Sequence, residues 1–220
     1  MHPEFWHERW AGDRIGFHQP SVAAALIAEW ETVVGDRAGC AFVPLCGKSL
    51  DLVWLRARGH EVAGVELSDI AVQAFLMEQG IPARRTPARI FDTYEADNLR
   101  LYRGDFFDLT AARLGPVAAV YDRASLISWA PELRGRYVDH MQSLTSEGVP
   151  TLLVTLEYPQ AEMHGPPFSV DRREVERLYL PRHEVHELSR RDILATEPRL
   201  QARGLSRLVE TCYRLLARSA

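Results

Sequence analysis

Short apolar runs alternate with amphipathic segments along most of the chain, and this alternation predicts the fold. The apolar runs predict seven strands, at residues 39–44, 61–66, 99–103, 117–122, 149–156, 183–189 and 206–216. Apolar residues recur at helical spacing elsewhere and predict helices at residues 21–34, 49–57, 68–79, 131–144 and 171–178. Alternating strands and helices are typical of an α/β fold, in which helices cover both faces of a mostly parallel sheet.

The boundaries of these segments refine the prediction. Ser49 and Ser68 are suitable N-cap residues, and Pro20-Ser21 is a plausible start for the first long helix. The last two strands are long and have no convincing helix between them, which predicts an antiparallel hairpin at one edge of the sheet. Because the chain has neither internal repeats nor low-complexity linkers, we expect residues 1–220 to form one domain.

The composition is that of an ordinary globular protein, with 46% hydrophobic and 25% charged residues and a formal net charge of -4. The basic residues are scattered, so we expect no nucleic-acid surface and no anionic-membrane surface. No stretch approaches the roughly 20 apolar residues of a membrane span, and residues 1–6 lack the apolar core of a signal peptide. Three cysteines without a C-x-x-C pair fit a reducing compartment, so we expect a cytoplasmic protein.

The segment from Ala41 to Asp51, with the apolar run at 61–66 that follows it, is the most informative part of the chain. It predicts a buried strand, a tight turn into a helix, and a second buried strand. In open α/β sheets a ligand lies across the carboxyl ends of such strands, and an acid about 20 residues after the turn binds the two hydroxyls of a ribose. Glu66 stands at that distance from Gly47.

This turn lacks the pattern G-x-G-x-x-G that accommodates a pyrophosphate, since it carries Pro44, Cys46 and Gly47 instead. A nucleoside without phosphates fits such a turn better, and S-adenosylmethionine is the common one. Cys46 lies near a helix N-terminus, where the pKa of a thiol can fall. We favour the other interpretation, a small residue that lets a ligand approach the loop.

Polar residues at other strand ends converge on the same edge of the sheet. Glu66 is interpreted as a ribose ligand rather than as a cap for the next helix or a surface ion pair. Asp105 either holds an adenine amino group or begins a turn with Asp108. Asp122 and Arg123 leave the core together, and they either satisfy one another or have an active-site role. We favour the latter, with Arg123 presenting a cation at the pocket mouth.

The N-terminal segment concentrates aromatic and cationic side chains, namely Phe5, Trp6, Arg9 and Trp10, followed by Gly16-Phe17-His18. Trp6 and Trp10 are four residues apart and share one helix face. Such a helix either docks its rings onto the sheet or acts as a lid, because aromatic faces suit a sulfonium cation and a flat heteroaromatic substrate. We expect residues 1–35 to form a helical cover over the active site.

A zinc site is not expected in the segment from His183 to Glu187, because its sequence is not H-E-x-x-H. The segment alternates as a strand does, which places His183 and His186 on opposite faces. The sequence therefore predicts no bound metal.

Taken together, these motifs resemble the thiopurine S-methyltransferase family in its short bacterial form. The matching pieces are Phe5-Trp6-x-x-Arg9-Trp10, Phe17-His18-Gln19, Phe42 to Lys48, Gly59-His60-x-Val62-x-Gly64-Val65-Glu66-Leu67-Ser68, Asp105 to Leu109, Tyr121-Asp122-Arg123, Gly165 to Phe168 and the strand after Gly204. They follow the family's order over nearly the whole chain. The residues at 125–130 depart from it, in a region that often varies within the family.

The resemblance implies a Rossmann-like class I methyltransferase fold, with a seven-stranded, mostly parallel sheet whose last strand is antiparallel. It implies S-adenosylmethionine as cofactor and S-adenosylhomocysteine as product. The implied substrates are aromatic or heterocyclic thiols such as thiopurines, with selenium and tellurium compounds as further candidates. The cofactor contacts it implies are Trp10, Leu45, Glu66 and Arg123, with Trp6 and Phe17 on the cover and Arg123, Arg199 and Phe17 towards the substrate. Gly47 and Asp105 join the cofactor set because of their positions at strand ends.

The expected reaction is an in-line displacement at a methyl group that the sulfonium makes electrophilic. Thiopurine-like sulfur acids ionise near neutrality, so the protein need only position the reactants and support the anionic sulfur, and Arg123 is the predicted catalytic residue. Two other functions stay open. A nicotinamide-dependent oxidoreductase needs a phosphate cradle that this turn lacks, and a non-catalytic nucleoside-binding protein needs no cation after the fourth strand. We expect a monomer whose partner is a small-molecule thiol.

Overall fold

A mixed β-sheet runs through the computed structural model, which describes residues 3–218. Met1 and His2 of the predicted 1–35 cover, and the last two residues of the predicted 1–220 domain, lie outside the described residues. The strands are β1 (Cys40–Val43), β2 (Glu61–Glu66), β3 (Arg84–Thr86), β4 (Asp92–Ala96), β5 (Leu99–Arg103), β6 (Ala119–Arg123), β7 (Pro150–Glu157), β8 (His183–Asp192) and β9 (Val209–Ala217). The helices are α1 (Pro3–Ala11), α2 (Ala24–Val34), α3 (Asp51–Ala57), α4 (Asp69–Glu78), α5 (Ala111–Leu114), α6 (Pro131–Leu144), α7 (Arg172–Tyr179) and α8 (Pro198–Gln201).

The strand order is β3-β4-β5-β2-β1-β6-β7-β9-β8. Strands β5, β2, β1, β6 and β7 are parallel, and β9 runs antiparallel to both of its neighbours. The predicted parallel sheet with a reversed last strand and an antiparallel pair at one edge is therefore confirmed. The chain leaves β1 first towards β2 and later towards β6, so a crevice opens at the carboxyl ends of these central strands.

The predicted number of seven strands is wrong, because β3 and β4 extend the sheet beyond β5. Strand β4 pairs antiparallel with β5 from Asp92↔Arg103 to Ala96↔Leu99, across a turn at which Asn98 adopts a positive φ of 51°. Strand β3 is only three residues long and fully exposed. Neither strand contains an apolar run, so the hydrophobic pattern could not reveal them.

Helices cover both faces of the sheet, as predicted. On one face, α2, α3 and α4 pack through large buried side chains that include Leu26, Trp30, Leu52, Leu55 and Phe75. On the other face, α5, α6 and α7 contribute Leu114, Tyr137, Val138, Met141, Val175 and Tyr179. Successive residues of β7 alternate between the two layers, because side chains of a strand point to opposite faces. None of the described helices is long and apolar enough to cross a membrane.

The helix starts agree with the predicted caps in part. Ser68 caps α4 by accepting a hydrogen bond from the N–H of Ala71 at 3.4 Å. Ser49 lies one residue too early for the N-cap of α3, although its hydroxyl accepts from the N–H of Asp51 at 3.2 Å. The predicted start at Ser21 is wrong: α2 begins at Ala24, and the N–H of its N-cap residue Ala23 donates to Asp51 Oδ1 at 2.8 Å.

Arg134 on α6 is a fully buried cation that joins three segments. Its Nε donates to the carbonyl of Trp129 at 3.0 Å, one Nη donates to the carbonyl of Ser169 at 3.1 Å, and the other pairs with the carboxylate of Glu174. The guanidinium thereby joins the loop before α6, the loop before α7 and α7 itself.

Replacing Arg134 by alanine should lower the free energy of unfolding by about 3 kcal/mol, since it leaves a partly buried carboxylate and two carbonyls without their donor. Arg177 is the matched control, because it also pairs with Glu174, at 3.2 Å, but its side chain is 63% exposed. Arg177→Ala should cost less than about 1 kcal/mol. Urea unfolding followed by circular dichroism measures both, and equal losses would contradict the role assigned to Arg134.

Candidate active site

A cavity of about 580 Å³ lies at the carboxyl ends of β1, β2, β6 and β7 and beside the first residues of β9. Residues 3–19 close it on one side and residues 193–203 on another. The residues predicted to form the site all line it: Trp6, Trp10, Phe17, Leu45, Gly47, Glu66, Asp105, Arg123 and Arg199. The tertiary structure thus brings together positions that are up to 193 residues apart in the chain.

The turn after β1 has a backbone shape that few sequences adopt. Leu45 and Gly47 both have left-handed backbones, with φ of 45° and 53°. The positive φ favours glycine at position 47, and the ring of Trp10 packs closely there, 3.4 Å from where a Cβ would stand. For Leu45 the conformation costs roughly 1–2 kcal/mol. Such strain is typical of turns that hold a ligand.

Glu66 joins this turn to the end of β2. Its Oε2 accepts the N–H of Gly47 at 2.9 Å and its Oε1 accepts the N–H of Ser68 at 2.7 Å. Burial raises the pKa of this carboxyl, and the backbone N–H groups of Ser68 and Gly47 oppose that rise. The backbone N–H of Leu67 opposes the rise as well. A carboxylate offers about four acceptor positions, so Glu66 can still receive hydroxyl donors from the cavity.

The aromatic residues of the N-terminal segment form a cluster around Phe17. The ring of Phe17 makes edge contacts with Trp6 and Trp10, at centroid distances of 5.6 and 5.5 Å. Trp10 is buried and lies against Gly47, whereas Phe17 stays partly exposed at the cavity. Both interpretations of this helix therefore hold in space: it docks onto the β1 turn, and it walls the cavity. The wall is shorter than the predicted cover at 1–35, because α2 packs into the core instead.

Residues 193–203 hold the N-terminal wall of the cavity in place through hydrogen bonds. Arg199 donates from Nη1 to the carbonyl of Gly16 at 3.3 Å, and Gln19 donates from Nε2 to Glu197 at 3.3 Å. Arg199, predicted on the substrate side, thus lies at the junction of two chain segments that both line the cavity. Gln19 and Glu197 were not predicted, since hydrogen bonds across 178 residues leave no local pattern.

Asp122 and Arg123 point to opposite faces of β6 and do not pair. Asp122 is buried on the α6 side, where it accepts from Tyr137 Oη at 2.7 Å and from the N–H of Leu126 at 3.3 Å. It does not line the cavity, so the favoured active-site role applies to Arg123 alone. The interpretation that Asp122 and Arg123 satisfy one another is wrong, because their side chains point to opposite faces of the strand.

Arg123 enters the cavity beside Asp51, with 3.7 Å between Nη1 and Oδ2. Burial opposes its charge, but the surrounding groups, among them Tyr121, Asp51 and Glu210, raise its pKa, so the guanidinium stays charged. Asp51 was not predicted as a site residue. It is buried and also accepts from Tyr121 Oη at 3.0 Å, which fixes its orientation towards Arg123.

Asp105 begins a turn, as one of its two interpretations predicted, and its contact with adenine stays a prediction. It accepts the N–H of Phe107 at 2.9 Å and so begins a short 3₁₀ turn, and it also lines the cavity. Phe107 lies 5.3 Å from the ring of Trp129, and the guanidinium of Arg136 lies 3.9 Å from the Phe107 centroid. Trp129 and Arg136 were not predicted. Trp129 belongs to the stretch at 125–130 that departs from the family pattern, and Arg136 lies on α6 without a local motif.

The remaining candidates behave as ordinary side chains. Burial raises the pKa of the Cys46 thiol well above its usual range, so the interpretation as an activated thiol is wrong. Its sulfur occupies the space that a Cβ on Gly64 would need, at 2.7 Å. His186 contacts Glu184 at 3.2 Å, and His183 lies against Tyr179. Within residues 3–218, no group of three or more His, Cys, Asp or Glu side chains is placed to hold a metal ion.

Known proteins are similar to this sequence over its full length. The family model described as Thiopurine S-methyltransferase (TPMT) matches residues 1–218. A curated thiopurine S-methyltransferase of Methylococcus capsulatus is 48% identical over 221 residues, covering 100% of this chain and 100% of that protein. Another, of Nitrosospira multiformis, is 46% identical over 220 residues with the same coverage of both chains. The chain belongs to the thiopurine S-methyltransferase family.

Solved structures agree with this family at the level of the fold. A 1,6-didemethyltoxoflavin-N1-methyltransferase of Burkholderia thailandensis, solved with S-adenosylhomocysteine, has a TM-score of 0.63 at 13% identity, covering 96% of this chain and 86% of that one. An S-adenosylmethionine-dependent methyltransferase of Anabaena variabilis has a TM-score of 0.66 at 13% identity, covering 98% and 95%. The predicted Rossmann-like class I methyltransferase fold is confirmed.

As a member of the thiopurine S-methyltransferase family, the protein is an enzyme that uses S-adenosylmethionine as methyl donor, and this prediction is confirmed. The two other functions, a nicotinamide-dependent oxidoreductase and a non-catalytic nucleoside-binding protein, are therefore wrong. The turn that lines the cavity carries Leu45, Cys46 and Gly47, so it lacks the glycine pattern of a phosphate-binding loop.

The pH dependence of stability tests whether Asp122 lies on the buried face of β6, away from the cavity. Burial raises the pKa of its carboxyl from 3.8 to about 6. An acid whose pKa is higher in the folded state favours folding below its unfolded pKa and loses that contribution as the pH rises through its folded pKa. Relative to Asp122→Asn, the wild type should therefore lose stability between pH 4 and pH 7, on the order of 3 kcal/mol.

Urea unfolding of both proteins at the two pH values measures this difference. Because Asp122 lies outside the cavity, Asp122→Asn should also leave the shape of the pH profile of methyl transfer unchanged. A stability difference that does not vary with pH, or a shifted activity profile, would contradict this placement.

Proposed function

We propose that the enzyme transfers the methyl group of S-adenosylmethionine to the sulfur of aromatic and heterocyclic thiols, thiopurines among them. The observation that carries this proposal is the charged guanidinium of Arg123, which stands in the cavity next to the β1 turn. A fixed cation at this place suits an anionic sulfur nucleophile. Support also comes from relatives that carry the name thiopurine S-methyltransferase.

The cofactor occupies the β1–β2 side of the cavity in this proposal. Glu66 accepts both ribose hydroxyls with the free acceptor positions of its carboxylate, and Leu45 and Gly47 allow close approach of the nucleoside to the turn. Asp105 stands at the adenine end, beside the aromatic wall of Phe107. Trp10, together with Trp6, covers the sulfonium, where an aromatic face is favourable.

The acceptor occupies the opposite side, over β6 and β7. Arg123 and Arg199 supply positive charge there, and Phe17 offers an aromatic edge to a flat ring. Val154 and Leu156 of β7 contribute an apolar surface to this side of the cavity. These residues suit a planar, apolar ring that carries one negative group.

The chain's own residues position and stabilise rather than exchange protons with an aryl thiolate. When bound, S-adenosylmethionine supplies an electrophilic methyl group. Arg123 holds the sulfur anion by charge and hydrogen bonding, and Asp51 at 3.7 Å keeps the guanidinium oriented. The cover formed by residues 3–19 excludes water from the reacting atoms, which strengthens these electrostatic interactions.

Further parts of the proposal concern range and setting. Selenium and tellurium nucleophiles are larger and more polarisable than sulfur, and we include them as acceptors in a detoxifying role. We place the enzyme in the cytoplasm, in keeping with three free cysteines among the described residues. We also propose that it is a monomer.

The ribose contact predicts the effect of Glu66→Gln, which keeps the shape of the side chain but removes its charge. Loss of charge from two hydrogen bonds should weaken the binding of S-adenosylmethionine and S-adenosylhomocysteine about tenfold to a hundredfold. Isothermal titration calorimetry measures both affinities. Glu78→Gln is the control, because Glu78 pairs with Lys48 of the same loop at 2.7 Å but does not itself line the cavity. Unchanged affinities in Glu66→Gln would remove this residue from the cofactor site.

The proposed function is tested with Arg123 and a series of substituted thiophenols. Arg123→Ala should lower kcat by about a hundredfold or more while cofactor binding is largely kept. Arg123→Lys should restore only part of the rate, since a point charge cannot reproduce the planar guanidinium. In the wild type, kcat/KM should rise with pH through the pKa of each thiol and shift when a more acidic thiol is used. An absence of thiol methylation, or a profile that ignores thiol acidity, would overturn the proposal.

A further inference from the structure

Glu210 is a cavity carboxylate that the mechanism above does not use. It lies near the start of β9, is partly buried, and lines the same cavity as Arg123. Among residues 3–218, no side chain or backbone group donates a hydrogen bond to it. A partly buried carboxylate with free acceptor positions in a ligand cavity is suited to receive a donor from the ligand.

The strand register fixes the position of Glu210 relative to Arg123. Arg123 of β6 pairs with Val154 of β7, and Glu210 of β9 pairs with Leu156 of β7. Paired residues share a face of the sheet, and so do residues two apart in one strand. The side chains of these four residues therefore point to one face of the sheet. Arg123 lies on one side of Val154 and Leu156, and Glu210 lies on the other side.

The charged surroundings of Glu210 keep it available as an acceptor. The titratable and charged groups around it are Tyr121 and Arg123 on β6, Arg191 on β8, Cys212 on β9, Glu197 before α8, and Glu29 on α2, whose carboxylate contacts Arg191 at 3.8 Å. Burial raises the pKa of Glu210, Arg123 and Arg191 oppose the rise, and Glu197 adds to it. A carboxylate with a raised pKa is a stronger base than one in water.

A heteroaromatic thione presents two groups that match this arrangement. In the unit HN–C=S the sulfur and the ring N–H are adjacent, and the ring is flat and apolar. With its sulfur towards Arg123, such a ring lies over Val154 and Leu156 and turns its N–H towards β9. A thiol without a ring N–H leaves the carboxylate of Glu210 without a donor.

We propose that Glu210 recognises acceptors of the type HN–C=S by accepting the hydrogen bond of the ring N–H, and that it takes this proton as the sulfur is methylated. The proposal rests on the proposed function and names its preferred substrate class. A sulfur lone pair forms the new S–CH₃ bond while the methyl–sulfonium bond breaks and its electrons stay on the departing thioether. The N–H electrons become the ring C=N bond, the C=S π electrons return to sulfur, and the proton ends on the carboxylate.

The test compares 2-mercaptopyridine, which has the HN–C=S unit, with thiophenol, which has the same ring size but no N–H. Glu210→Gln should lower kcat/KM for 2-mercaptopyridine by about tenfold to a hundredfold. It should change kcat/KM for thiophenol by less than about threefold. Glu157→Gln is the matched control, because Glu157 lies on β7, pairs with Arg190 and Arg207, and does not line the cavity.

The pH profile provides a second readout that a merely structural role would not move. Wild-type methylation of 2-mercaptopyridine should persist below the pKa of the free thione, whereas in Glu210→Gln it should follow that pKa. Equal losses on the two acceptors, no loss on 2-mercaptopyridine, or identical pH profiles would overturn the proposal. Thermal melting and cofactor affinity of Glu210→Gln check its folding, and Glu210→Asp repeats the comparison with a shorter carboxylate. If the wild type methylates neither acceptor, the proposed function itself has failed.

Discussion

The cavity depends on the carboxylate of Glu66, which ties the turn after β1 to the end of β2. Its two oxygens hold the N–H groups of Gly47 and Ser68, at 2.9 and 2.7 Å, and so fix the loop and the start of α4 in one arrangement. The left-handed backbones of Leu45 and Gly47 are maintained by this link. The same turn contacts Trp10, so this link also positions the surface against which the N-terminal helix packs.

A second constraint is the separation of charges across the sheet. Alternation along β6 sends Asp122 into the α6 layer and Arg123 into the cavity, so adjacent residues serve the core and the site respectively. In the cavity, Arg123 is oriented by Asp51 and faces Glu210 across two apolar side chains of β7. A cation and an anion held apart in this way do not occupy each other's hydrogen-bonding positions, so each can bind a ligand group.

The far wall of the site is assembled from two segments outside the sheet, residues 3–19 with α1 and residues 193–203 with α8. Residues 3–19 are held by Arg199, which binds the carbonyl of Gly16, by the hydrogen bond from Gln19 to Glu197, and by the rings around Phe17. These contacts are few and partly exposed, so this wall is the part of the site least stabilised by the core. Cofactor and acceptor each touch it in the proposed arrangement, which would couple closure of the cavity to their binding.

The sequence by itself determined the parallel sheet, the antiparallel pair at its edge, and the strand ends at Gly47, Glu66 and Arg123, because buried strands and their polar ends leave a local pattern. The reversed last strand was implied by the family resemblance. The sequence pattern missed β3 and β4, which are held by backbone pairing rather than by an apolar run. The alternation of β6 places Asp122 and Arg123 on opposite faces, but only the tertiary structure showed which face is the cavity, brought Asp51 beside the cation and placed Glu210 in the same cavity. Such placements depend on register and on contacts between distant segments, and the period of a single strand cannot encode them.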